Sequence, residues 1–155
     1  VIRVQAEDFD PGIEIAGFAA GNGRVGGVCL FLGLVRDFLG QSPETGQSVR
    51  GMTLEHYPGM TEKQLAAIEA EARSRWPLEE VLVIHRFGRL EPGDRIVLVA
   101  TASAHREAAF EACHFLIDWL KTRAPFWKRE HTEAGDLWVE AKASDDAAAE
   151  RWTTR

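Results

Sequence analysis

The sequence has no apolar run near the eighteen or so residues that a membrane-spanning helix needs, and no secretory leader is expected. It has only two cysteines, Cys29 and Cys113, far apart and each inside an apolar segment. That excludes a disulfide scaffold and predicts buried thiols in a reducing compartment, so the expected location is cytoplasmic. His56, His85, His114 and His131 lack metal-ligand spacing, and no metal site is expected. There is no GxSxG elbow and no Walker loop. Gly21-Asn22-Gly23 precedes a strand, the wrong context for a dinucleotide fingerprint. Basic residues are the minority, 18 against 24 acidic, for a net charge of −6. Such a body repels phosphate backbones, so any anion site must be a local basic patch.

What is present suits one ordinary domain spanning residues 1–155, with 45% apolar and 27% charged residues. Val1 to Gln5 alternates like a strand, Asp10-Pro11-Gly12 breaks it, and a weak helix follows from Ile13 to Ala20. Gly26 to Val35 is nearly all apolar, which predicts a strand buried on both faces. Residues 39–48 lack periodicity and suggest a mobile loop placed like a lid. Met52 to Tyr57 alternates as a strand. Thr61 is the expected cap of a helix with Leu65, Ile68, Ala72 and Trp76 at helical spacing. Val81 to Phe87 and Asp94 to Thr101 predict two strands joined around Glu91-Pro92-Gly93-Asp94. Ser103 is the expected cap of a second helix, with Phe110, Cys113, Ile117 and Leu120 as its inward stripe and His114 as a core histidine. Trp127 to His131 and Leu137 to Ala141 predict two last strands, and a tail over 144–155 docks through Trp152. Strands punctuated by two main helices indicate an α+β fold.

Leu120 to Glu130 concentrates the candidate chemistry, with four cations and two large aromatics in eleven residues around helix-ending Pro125. Lys121 falls on or beside the buried stripe, where desolvation favours a neutral, nucleophilic amine. The plainer reading of Lys121 alone is a helix-end lysine that snorkels to water and neutralises the dipole. Lys128 and Glu130 share one face of the following strand and Arg129 takes the other. Only the bend separates the two lysines, so both could serve one pocket. His105 and Arg106 open the second helix, either as an anion site at its N-terminus or as a plain surface turn. Arg36 ends the apolar strand, a common place for a ligand-binding residue or for a salt bridge with Asp37. Sixteen residues of helix, about 24 Å of rise, separate His105 from Lys121. If both act, a second copy of the chain must supply one of them.

Thr53 to Met60, Thr101 to Arg106 and Leu120 to Glu130 closely resemble the large, catalytic subunit of molybdopterin synthase, with similarity from Gly26 to about Trp152. The resemblance implies a hammerhead-type α+β fold with a mixed or antiparallel sheet. It implies a sulfurtransferase that converts cyclic pyranopterin monophosphate to molybdopterin. The sulfur comes as a thiocarboxylate on the C-terminal Gly-Gly of a small ubiquitin-like subunit, with no cofactor of the protein's own. The implied assembly is a heterotetramer around a homodimer of large subunits, binding neither nucleic acid nor membrane. Lys121 matches the family's catalytic lysine, and Lys128 its second pocket lysine, followed by Arg129 and Glu130. His105 and Arg106 match a substrate-binding pair from the neighbouring large subunit, and Arg36 the strand-end arginine. Val35 and Leu34 complete the implied substrate-binding set, although Leu34 stands where relatives often carry lysine. Two other readings of the basic-aromatic patch remain: a nucleic-acid-binding module, or a non-catalytic assembly subunit that docks an acidic tail.

Overall fold

Two sheets meet along one seam. The computed structural model describes residues 1–40, 42–139 and 143–153, the side chains of 143 and 144 excepted. The first sheet runs in the order β1 (Ile2–Gln5), β5 (Leu78–Arg86), β7 (Arg95–Ser103), β2 (Gly27–Leu34). Its β1–β5 pairing is parallel and the rest antiparallel. The second runs β3 (Phe38–Leu39), β4 (Gln47–His56), β8 (Phe126–Thr132), β9 (Gly135–Val139), with β6 (Gly88–Leu90) also paired to β4. The helices are α1 (Pro11–Gly17), α2 (Met60–Arg75), α3 (Arg106–Thr122) and α4 (Ala143–Glu150). The architecture is the expected α+β class with two main helices, α2 and α3, and a mixed sheet.

The main core lies between the first sheet and α2, α3 and α4. Leu65, Ile68, Val83, Val99, Phe115 and Leu116 are all buried there. Ile84, Leu98 and Ala100 fill the opposite face with Phe9, beneath Ile15 and Phe18. Each large side chain removed from water contributes about 2–3 kcal/mol. Trp152 docks the tail as expected. Its indole meets Trp76 and Phe115 edge-on, each at 5.6 Å, and donates a 2.8 Å hydrogen bond to Asp118 Oδ2.

Several expectations change. Asp10-Pro11-Gly12 begins a helix as well as ending a strand: Asp10 Oδ1 accepts from the amides of Gly12 and Ile13, and Pro11 occupies the first turn. β2 is an edge strand rather than one buried on both faces, leaving Val28, Leu30 and Leu34 43–50% exposed. A continuous apolar run cannot distinguish burial in a core from a surface kept for a partner. The stretch 39–48 is largely a β3–β4 hairpin, with Leu39 paired to Gln47 and the Gly46 amide bonded to Ser42 O, although Gln41 lies outside the described residues. Gly46 is needed there, because a Cβ would stand 2.1 Å from Leu39 O.

The helix starts also move. Gly59, at φ +81°, caps α2, and Glu62 accepts from its amide at 2.7 Å. Thr61 is buried in the first turn as the second residue of α2, where its hydroxyl accepts from Tyr57 N and donates to Pro125 O at 3.4 Å. Ser103 ends β7 and donates to Pro77 O at 2.8 Å, while His105 takes the cap position of α3. Phe110 is 61% exposed, and the stripe runs instead through Ala109, Ala112, Cys113, Leu116 and Leu120. His114 lies on the outside of α3, 3.5 Å from Asp118 and 3.3 Å from Arg151, rather than in the core. Ala141 lies outside the described residues, so the last strand is described only to Val139.

Candidate functional site

At the seam, the end of β2, the end of α3 and the start of β8 enclose a cavity of about 650 Å³. Leu34, Arg36, His85, Lys121, Phe126, Lys128 and Asp145 are among its walls. Strand and helix ends are where backbone direction changes, so side chains from different elements can converge there. A second cleft of about 310 Å³, beside Phe110, His114 and Arg151, brings together no comparable set of cations.

Lys121 sits one residue beyond Leu120, the last buried position of the α3 stripe. A step of about 100° round the helix carries its side chain out of the core. It is 57% exposed, with Nζ 3.9 Å from Asp145 Oδ1. That exposure fits the plainer of the two readings, a helix-end lysine reaching water, and puts Lys121 on the cavity rim in the single chain. Lys128 is more enclosed: its Nζ lies 2.6 Å from Glu130 Oε1, and the Glu130 side chain is only 4% exposed. The other carboxylate oxygen of Glu130 is buried without a partner among the described residues. Glu130 thus acts on the cavity through Lys128, fixing its direction. Arg129 points to the opposite face as alternation requires, its guanidinium 5.5 Å from the Trp138 ring and away from the cavity lining.

Arg36 lies just beyond β2, where it donates to Gly40 O at 3.3 Å and sits 5.0 Å over the Phe38 ring. Leu34 lines the cavity. Val35 does not. Its side chain is buried against Met52, Leu54 and Leu90, its amide donates to Asp94 O, and its carbonyl accepts from Gly93 N. His105 and Arg106 are exposed at the far end of the 17-residue helix, about 24 Å from Lys121, so one chain does not bring the two groups together. They do lie beside the start of β2: a Cβ on Gly27 would be 3.5 Å from Arg106 Cα. The exposed edge strand therefore joins the two halves of the expected site.

His85 is the residue that the reading of motifs missed. Its ring stacks on Phe126 with centroids 3.7 Å apart and planes 16° from parallel, and Nδ1 is 2.8 Å from Arg86 O. Burial pushes its pKa down to about 4, with a smaller push from His56, so the imidazole is neutral at physiological pH. A histidine interrupting an aliphatic strand was the available signal. Elsewhere, Thr53, His131 and Asp136 form a hydroxyl–imidazole–carboxylate line with links of 2.8 and 2.7 Å, but it borders neither cavity. Cys113 is buried and Cys29 half-buried; both are free, and burial raises the Cys113 thiol pKa. Among the described residues, no cluster of His, Cys, Asp and Glu could hold a metal ion, and no helix is long and apolar enough to cross a membrane.

Comparison with known proteins places this geometry. The family model described as MoaE protein matches residues 4–123. The molybdopterin synthase catalytic subunit of Pseudomonas aeruginosa is 58% identical over 151 residues, covering 97% of each chain. The chain belongs to the MoaE family. The solved molybdopterin biosynthesis MoaE protein of Burkholderia ambifaria superposes with a TM-score of 0.82 at 49% identity, covering 100% of this chain and 99% of that one. A Helicobacter pylori complex of subunits 1 and 2 of molybdopterin-converting factor shares the MoaE fold, with a TM-score of 0.71 at 17% identity and 91% coverage of both chains.

Proposed function

We propose that this chain is the sulfur-inserting subunit of a molybdopterin synthase, acting in the cytoplasm on cyclic pyranopterin monophosphate. The observation that carries the reading is the convergence of Arg36, Lys121 and Lys128 on one cavity of a protein whose net charge is −6. Substrate phosphate and an incoming thiocarboxylate are both anions, and bringing them together requires cations held in place beforehand. Names of relatives support the assignment: the Pseudomonas protein is a catalytic subunit, and the Helicobacter structure contains two subunits.

Lys121 is placed at the rim, where the C-terminal Gly-Gly tail of a small ubiquitin-like partner would enter. It stabilises the charge that develops as thiocarboxylate sulfur attacks the pterin side chain, or holds a covalent intermediate. Lys128, held in place by Glu130, and Arg36 anchor the phosphate, with Leu34 on the adjoining wall. Arg129 and Val35 act indirectly, Arg129 by bracing β8 and Val35 by fixing the end of β2. Sulfur comes from the partner and the carbons from the substrate, so the reaction needs no resident cofactor. His105 and Arg106 reach the site from a second copy. Antiparallel pairing of two β2 edges would set the Gly27 end of one chain beside the Leu34 end of the other. It would also cover Val28, Leu30 and Phe31, which are 39–45% exposed. That homodimer forms the centre of a heterotetramer.

The test is to incubate the protein with a thiocarboxylated Gly-Gly partner and cyclic pyranopterin monophosphate, then assay the dithiolene. Lys121→Ala should lower turnover by about 10²–10³, while partner binding and unfolding stay as in wild type. Undiminished turnover would reject the role of Lys121. Mixed dimers of Lys121→Ala and His105→Ala chains should recover part of the activity, and inactive mixed dimers would reject the shared site.

A further inference from the structure

Among the described residues, the side chains that line the cavity include more hydrogen-bond donors than acceptors. Arg36, Lys121 and Lys128 can only donate, and the Asp145 carboxylate faces Lys121. His85 differs in kind. A carbonyl oxygen cannot donate, so the 2.8 Å contact between Nδ1 and Arg86 O requires the proton on Nδ1. Nε2 then carries a lone pair, and no described residue bonds to it. The ring is clamped by Phe126 at 3.7 Å and lies in the cavity wall. Nε2 is not among the buried atoms left without a partner, so its lone pair is open to a molecule in the cavity.

The geometry points to His85 Nε2 as a substrate-positioning acceptor that takes a hydrogen bond from an N–H of the pterin ring. This rests on the proposed function and extends it: the cations hold the anionic end of the substrate, and His85 reads the heterocyclic end. The neutral state is the useful one. A protonated ring would present a second donor and repel the N–H, and burial keeps that proton off. A pyranopterin offers amino and ring N–H donors that a bare phosphate or a phosphosugar lacks, so His85 discriminates for the heterocycle.

Two variants separate this role from packing. His85→Phe keeps a ring against Phe126 and removes the acceptor, whereas His85→Gln brings a carboxamide oxygen to about the same depth. With cyclic pyranopterin monophosphate, His85→Phe should raise Kd and KM by about tenfold, the equivalent of one hydrogen bond, while kcat changes less than about twofold. His85→Gln should recover most of the affinity. Competition by inorganic phosphate should be equal in all three proteins. Imidazole nitrogen NMR of the labelled wild-type protein supplies a readout that needs no variant. The unprotonated Nε2 resonance should shift on adding the pyranopterin and stay in place with phosphate alone. A stationary resonance, or His85→Phe binding as tightly as wild type, would overturn the inference and leave the Lys121 chemistry standing. Failure of the wild-type protein to bind the pyranopterin would overturn both.

Discussion

The two sheets divide the work of the molecule. In the first, Ile84, Leu98, Val99, Ala100 and Ala102 have no exposure at all, and hydrophobic clusters pack on both faces. In the second, β8 alone carries Lys128, Arg129, Glu130 and His131, and its main apolar cluster is Val35, Met52, Leu54 and Leu90. One sheet is fastened by burial, and the other is held by its neighbours so that charged groups can face a cavity. Enclosing an ion pair such as Lys128–Glu130 is costly, and the aliphatic sheet offsets that cost.

The largest effect should come from the first sheet. Leu98→Ala should destabilise the protein by about 3–5 kcal/mol in urea unfolding, with turnover per folded molecule unchanged. Leu54→Ala, at the edge of the smaller cluster, should cost less than Leu98→Ala. The reverse order would break the division. His85 sits on the border between the sheets. The unfolded chain takes up its imidazole proton near pH 6.5, and the folded chain only near 4. The stabilisation is therefore complete above pH 6.5 and lost as pH falls toward 4, by up to about 3 kcal/mol. His85→Phe should flatten that part of the acid-unfolding profile.

Glu130→Gln should show the opposite signature to Leu98→Ala. Turnover should fall about tenfold, because a neutral amide holds Lys128 less firmly than a carboxylate, and stability should move by no more than about 1 kcal/mol. The smallest effect belongs to Asp8, at the rim of the first sheet. Its carboxyl is held down to about 2 chiefly by its hydrogen bond to Arg95. That contribution is present above pH 3.8 and lost as pH falls toward 2, so Asp8→Asn should alter only the most acidic end of the unfolding curve.

This division was partly legible in the sequence. Alternation and turn chemistry located β4, β5, β7, β8 and β9, helical spacing located α2 and α3, and the eleven residues around Pro125 identified two of the cavity cations. Exposure was not legible. Leu30 in β2 and Phe110 in α3 read as core because local pattern reports amphipathicity, and what covers an apolar face depends on distant chain or on another molecule. Spacing left Lys121 open between a desolvated amine and one reaching water, because a spacing rule does not resolve a single helical step past the stripe. Thr61 read as a cap because its hydroxyl suits that role equally well, yet it bonds Pro125, sixty-four residues away. His85 carried no motif, and its significance comes from Phe126, which only the fold brings against it.

Strand β6 carries a last implication. It is spliced between β5 and β7 of one sheet but hydrogen-bonded to β4 of the other, through Met52–Leu90, Thr53–Arg89 and Leu54–Gly88. Swinging the sheets apart like a hinge would tear out this stitch. Access for a bulky reactant therefore has to come from rearranging the rim, and the spacing between Lys128 on β8 and the arginine beyond β2 is set before anything arrives.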